Sequence, residues 1–253
     1  MRLLIVTQDD SIFLPEIITK LLSDLPKHHM VVGAVCSGTN PFGKKSNFFT
    51  KAIKTLQVFG MHFFIDYSLK FLIRKFFKRL SVRKVFEQAG IPILDLATSI
   101  NDQSSLHTIS GTRPDLIISI AGSEIFKRKL IDVPTYGCLN IHTSLLPKYR
   151  GLMPSFWVLL NNEQETGVSV FYIDEGIDSG PIIKQQNVNI ENMTQKELIK
   201  ATKYIGIDLL IEAIEDIESN NVTLVSNDDS DATYYSFPTR EDVKAFIRSG
   251  KKF

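Results

Sequence analysis

Apolar positions along the chain follow two periods, that of strands and that of helices. Arg2 to Thr7 (RLLIVT) is a short apolar run of the kind buried on both faces in a central parallel strand. Leu14, Ile17, Ile18, Leu21 and Leu22 then recur on one helical face, and Met30 to Cys36 (MVVGAVC) is a second strand. Strand, helix and strand in this order predict a right-handed βαβ unit in a parallel sheet. Further strands are expected at Ile91–Leu96, Asp115–Ile120, Gly137–Ile141, Thr166–Ile173 and Pro181–Ile190. Helices are expected at Val82–Gln88, Asp102–Ile109, Pro154–Asn161, Thr194–Glu218 and Pro238–Ser249. Thr194 followed by Glu197 reads as a capping box opening the longest of them. Asn220 to Asp231 is polar and reads as a loop or edge hairpin. The expected fold class is α/β, a Rossmann-like, mostly parallel sheet flanked by helices.

Composition narrows the class. With 253 residues, 43% hydrophobic and 23% charged, the chain has the balance of an ordinary globular protein. A net charge of +1 excludes a chain that is basic throughout, as a general nucleic-acid binder would be. The opening MRLLIVTQDD meets acids too soon for a signal peptide, and no apolar stretch is long enough to span a bilayer. A cytoplasmic enzyme is expected. Cys36 and Cys138 share no metal-binding spacing and read as small buried residues, so no resident metal is expected.

Candidate chemistry is concentrated between Gly137 and Gln185. Asn140 and His142 stand two apart at the end of a buried strand, which puts both on one face at the carboxyl edge of the sheet. Asp178 lies in the Gly-rich turn Asp-Glu-Gly-Ile-Asp-Ser-Gly-Pro after the next strand and can return to the same edge. This trio suits acyl transfer. An Asn amide can donate to an oxygen that gains negative charge. An imidazole can move a proton, and a carboxylate can hold its tautomer or relay protons through water. The plain alternative is a pair of satisfied polar residues and an aspartate that merely forms a turn. Spacing alone leaves both readings open.

Two motifs decide between them. Asn140-Ile-His142-x-Ser144-Leu-Leu-Pro147-Lys-Tyr-Arg150-Gly151 resembles the signature of the formyltetrahydrofolate-dependent formyltransferases. Glu165-Thr-Gly167-Val-Ser-Val with Asp174-x-Gly176-x-Asp178-x-Gly180-Pro181-Ile resembles that family's second signature, in the right order and at the right interval. The resemblance is close over about residues 110 to 190 and looser elsewhere. It implies Asn140, His142 and Asp178 as the catalytic trio and N10-formyltetrahydrofolate as the formyl donor. It also implies a pterin site between Gly122, Ser123, Glu124, Ile125 and Phe126 on one side and Asp174 and Gly176 on the other. Ala121-Gly-Ser-Glu124-Ile departs from the more apolar stretch usual there, a change that backbone contacts would survive. Residues 1–190 are then the expected catalytic domain, and 191–253 a helix and short extension packed on it.

Among acceptors, the family offers several amines. Methionyl-tRNA would be expected to bring a further C-terminal domain, for which the residues after Asp178 leave little room. Glycinamide ribonucleotide would be expected to bring a Gly/Ser-rich phosphate loop after the first strand, where this chain has Thr7-Gln-Asp-Asp10-Ser-Ile. A formyltetrahydrofolate hydrolase would be expected to bring an N-terminal regulatory domain. The compact sugar N-formyltransferases remain, which makes a nucleotide-linked amino sugar the expected substrate. Lys148 and Arg150 are the candidates to meet its anionic part, against the plain alternative of a solvated loop pair.

From Lys44 to Lys84 the chain carries eleven Lys or Arg residues against one acid, Asp66, with eight Phe residues interleaved. A helical insertion over about 44–80 is expected, its Phe residues packing on the domain or on a second copy in a homodimer, its charges facing water. Binding to a membrane surface or to RNA is the alternative use of such a helix.

Overall fold

The computed structural model describes residues 1–38, 48–73 and 81–253. Its elements are numbered along the chain. Four strands, β1 (Arg2–Gln8), β2 (Met30–Ser37), β3 (Leu116–Ile120) and β4 (Cys138–His142), run parallel in the order β2-β1-β3-β4. Two more, β6 (Glu165–Tyr172) and β7 (Ile182–Asn189), continue the sheet antiparallel beyond β4. A two-residue strand β5 (Arg150–Gly151) pairs separately with β8 (Tyr234–Tyr235). The mostly parallel α/β sheet expected from the sequence is therefore present.

Strand alternation builds a core on each side. Leu3, Ile5, Leu116, Ile118 and Leu139 pack with α1 (Leu14–Asp24), α3 (Val82–Gln88) and α7 (Gln195–Glu218). Leu4, Val6, Ile117 and Cys138 face the other way, toward α4 (Gln103–Gly111) and α5 (Arg128–Ile131). The α7 helix starts with the expected capping box: Thr194 Oγ1 accepts from the Glu197 amide, and the Glu197 carboxylate accepts from the Thr194 amide at 2.8 Å. A third cluster joins α6 (Pro154–Leu160) to α8 (Arg240–Arg248) through Phe156, Val243 and Phe246.

One expected strand is absent, and pairing adds what the sequence left open. Ile91–Leu96 is not a strand but a single bridge from Ala34 to Ile93, because Pro92 has no N–H to extend the ladder. Of the last two sheet strands, β6 runs against the parallel set and β7, antiparallel to β6, returns to its direction, a feature carried by pairing and invisible in strand periodicity. Asn220–Asp231 is a loop, as one of the two expected forms, with one bridge, Ile182 to Val225, and a 3-10 turn at Asp229–Asp231.

The insertion is helical where it is described. α2 (Phe48–Leu72) is broken at Gly60, whose φ of 84° and ψ of 174° no helix contains. Phe59 and Phe63 pack on Phe253, and Phe59 also meets Phe237. This buries part of the aromatic face within the chain. Met61, Ile65, Leu69 and Leu72, spaced as one helical stripe, remain exposed. Residues 39–47 and 74–80, which carry the densest basic run, lie outside the described residues. Among the described residues no helix is long and apolar enough to cross a membrane.

Candidate active site

β4 delivers Asn140 and His142 to the carboxyl edge of the parallel strands on the face that begins with Cys138. The alternate residues Leu139 and Ile141 turn to the α7 side, where Ile141 lies against Gly206 so closely that a Cβ there would come within 2.6 Å of it. His142 is buried, 6% exposed. Its Nε2 lies 2.7 Å from the Tyr149 carbonyl oxygen. A carbonyl only accepts, so Nε2 carries the proton and the Nδ1 lone pair is free. Nδ1 stands 3.5 Å from Asp178 Oδ2. At that distance no strong hydrogen bond joins the neutral ring to the carboxylate, but a proton arriving on Nδ1 would be met by a negative charge. Of the two roles the sequence left open for Asp178, tautomer control falls to the Tyr149 carbonyl.

Tyr149 is itself fixed. Its amide donates to Thr233 Oγ1 at 2.8 Å, its hydroxyl donates to Glu163 Oε1 at 2.5 Å, and its ring stacks on Tyr235. Burial, reinforced by the Glu163 carboxylate, pushes its phenol well above the ordinary range, so it stays a donor. The turn before it is pinned to the sheet by Ser169, whose Oγ donates to the Ser144 carbonyl at 2.7 Å and accepts from the Leu146 amide at 3.1 Å.

Asp178 has a φ of 50°, and its Oδ2 accepts from the Gly151 amide at 2.8 Å. The Asn227 side-chain amide donates to the carbonyls of Asp178 and Gly180, both at 2.9 Å. Nearby edges hold three more non-glycine residues in the left-handed region: Ala121, Tyr149 and Met153. Such strain gathers where a backbone is held for a purpose other than its own stability. Asn140 differs from its neighbours: among the described residues its side-chain amide has no protein partner, which leaves it available to a ligand.

Arg150 does not fit the role the sequence gave it. Its side chain is fully buried. One terminal nitrogen meets Asp229 at 2.6 Å and the Tyr234 hydroxyl at 2.5 Å; the other meets the Asn227 backbone and side-chain oxygens, each at 2.9 Å. The guanidinium is a brace for the segment that holds Asp178, and no substrate reaches it. Lys148 is exposed, and its carbonyl accepts from Ser144 Oγ at 2.8 Å.

The expected pterin residues divide in two. Glu124 Oε2 accepts from Ser99 Oγ at 2.5 Å, Phe126 lies in the core, and Asp174 Oδ1 accepts from the Gly176 amide and Ser179 Oγ. These three side chains are committed within the protein. Gly122 packs so tightly that a Cβ would stand 2.6 Å from Ser119 Oγ, Ser123 Oγ is 3.3 Å from Ser37 Oγ, and Ile125 is exposed. Burial pushes the thiols of Cys36 and Cys138 up to about 12, helped by Asp9 and Asp132, so neither is a thiolate nucleophile.

The family model described as "Formyl transferase" matches residues 78–214, more than half of the chain. The chain belongs to the formyl transferase family. A relative, the methionyl-tRNA formyltransferase of Kosmotoga olearia, is 38% identical over 163 residues, which is 64% of this chain and 52% of the relative. The chain thus spans about half the length of the curated relatives it matches. An N-formyltransferase from Helicobacter canadensis, solved in complex with folinic acid and dTDP-3-aminofucose, is 21% identical with a TM-score of 0.58 and covers 96% of this chain and 72% of its own. Phosphoribosylglycinamide formyltransferase from Bacillus halodurans is 19% identical with a TM-score of 0.60, covering 86% of this chain and 96% of its own. At these identities the likeness is one of fold.

Sequence reasoning missed Asn227 in this family member. It sits in a polar loop 49 residues beyond Asp178, and only the Gly-rich turn's need for outside carbonyl donors hinted at such a partner. Asn227→Ala should lower stability by about 1–3 kcal/mol, as two carbonyls and Arg150 lose a partner. It should also lower kcat more than it raises KM, because Asp178 loses its setting rather than the substrate its contacts. Urea unfolding and steady-state kinetics of the same preparation test both halves.

Proposed function

We propose that this chain transfers a formyl group from N10-formyltetrahydrofolate to a primary amine. The observation that carries the reading is the unpartnered Asn140 amide beside a His142 whose Nδ1 lone pair faces Asp178. The folate supplies the formyl group on its N10 nitrogen. Asn140 donates to the formyl oxygen as that oxygen gains negative charge under attack by the amine. His142 Nδ1 takes the proton the attacking nitrogen must shed, and Asp178 stabilises the imidazolium so formed. The same proton then goes to the departing nitrogen. No covalent enzyme intermediate is needed, which agrees with the protonated, buried cysteines. The Gly122–Phe126 and Asp174–Gly176 segments would meet the pterin through their backbones, since three of their side chains are already engaged.

For the acceptor we propose the amine of a nucleotide-linked amino sugar, as in the Helicobacter canadensis enzyme whose fold follows nearly the whole chain. A ribonucleotide phosphate at the first helix is disfavoured by a structural reason. The Asp10 carboxylate already fills the α1 N-terminus, accepting from the amides of Ile12 at 2.9 Å, Phe13 at 2.8 Å and Leu14 at 3.2 Å. Methionyl-tRNA is the second reading, favoured by the 38% identity to an enzyme named for it.

Release of tetrahydrofolate from N10-formyltetrahydrofolate should be followed against amino-sugar nucleotides, methionyl-tRNA, glycinamide ribonucleotide and no amine. Turnover with amino-sugar nucleotides alone, lost in His142→Ala, is the expected result. Turnover with methionyl-tRNA alone replaces the acceptor, release without amine makes the chain a hydrolase, and failure to bind the folate overturns the reading.

A further inference from the structure

At the opposite edge of the sheet, where β1 and β2 begin, four side chains converge that the transfer chemistry does not use. His28 and His29 come from the turn before β2, and Glu215 and Glu218 from the last turn of α7. We propose that His28, His29, Glu215 and Glu218 form a binding site for one divalent cation of the zinc class, a clip between the start of β2 and the end of α7.

The donor geometry is already close to that of a closed site. One nitrogen or oxygen from each of the four residues lies within 4.8 Å of all the others. His28 Nε2 is 3.3 Å from Glu215 Oε1 and 2.9 Å from Glu218 Oε2, while His29 Nε2 is 2.5 Å from Glu215 Oε1. Bonds of about 2.0–2.1 Å to a tetrahedral ion require donors about 3.3 Å apart. The close pairs must part and any wider ones draw in for all four donors to hold one ion. The Glu residues are three apart, which sets both on one helical face, and the His29 side chain is fully buried, which fixes one ligand in advance.

Electrostatics point the same way. The carbonyl end of a helix carries partial negative charge and ordinarily attracts cations. α7 ends instead with Glu215, Asp216 and Glu218 and has no basic residue in its last turn. Asp216 is paired with Lys184 at 2.6 Å and Glu218 with the Met1 ammonium at 3.2 Å, and both glutamates face the histidines. Two carboxylates and two neutral imidazoles balance a doubly charged ion. The imidazole donors favour zinc and its late transition-metal neighbours over magnesium or calcium, which prefer oxygen alone. A positive group also stands beside the cluster. The Met1 amine lies 3.1 Å from His29 Nδ1 and 3.2 Å from Glu218 Oε1.

The test uses the full chain stripped with EDTA and titrated with Zn2+, and in parallel with Co2+. One Zn2+ per chain, a rise in Tm with Zn2+ and the visible absorption of four-coordinate Co2+ are expected. His28→Ala and Glu218→Gln, both at the exposed side of the cluster, should each weaken Zn2+ affinity by more than about tenfold. Both should leave formyl transfer unchanged. No uptake by the wild-type chain, or uptake equal in both variants, would overturn the site and leave a hydrogen-bonded cluster only.

Discussion

Asn140→Ala should lower kcat for formyl transfer by about 100- to 1,000-fold, the usual loss when one oxyanion donor is removed. Its unfolding transition should stay close to that of the wild type. The two halves belong together. The Asn140 amide has no protein partner among the described residues, so truncation leaves no buried group orphaned and stability has little to lose. Because the interaction strengthens only as charge develops, KM should move much less than kcat. Asn140→Asp should be at least as damaging, since a carboxylate cannot donate and repels the developing charge. A variant that retains wild-type kcat would remove Asn140 from the reacting centre; one that unfolds early would make it a structural residue.

Gly151→Ala should damage folding and turnover together. Gly151 has a φ of 95°, and a Cβ there would stand 2.3 Å from the Tyr235 carbonyl oxygen across the β5–β8 pair. The backbone conformation costs an L-residue roughly 1–2 kcal/mol, and the overlap roughly another 1–3, so about 3 kcal/mol of destabilisation is expected. The neighbour is backbone and cannot swing aside. The Gly151 amide is also the group that holds Asp178 Oδ2 at 2.8 Å, so any relief of the clash moves the carboxylate away from His142. Kinetics below the new Tm separate the effects: normal kcat in the folded fraction would show that the Gly151 amide does not position Asp178.

Much of this architecture was legible from local pattern. LIISI had to be a strand buried on both faces, and Thr194 with Glu197 had to open a helix, because such signals are written within a few residues. The Asn140–His142 pair was legible because alternation puts i and i+2 on one face whatever the tertiary context. Arg150 was misread because its fate depends on Asn227, Asp229 and Tyr234, some 77 to 84 residues later, and no periodicity connects them. The tautomer of His142 was missed for a related reason. It rests on a main-chain carbonyl, which every residue has, so the identity of Tyr149 gave no sign of it. The reversal of β6 depends likewise on pairing partners, which an apolar run does not name.

β4 has a parallel neighbour in β3 and an antiparallel one in β6, with Asn140 opposite Ser119 on one side and Phe171 on the other. Two ladders of different geometry therefore dictate a single register. If the strand slid by one residue, Asn140 and His142 would point beneath α7 and Leu139 and Ile141 would point into the cleft. The chain can consequently gain or lose residues in its connecting loops with modest effect, whereas one inserted between Cys138 and His142 would turn the chemistry inside out.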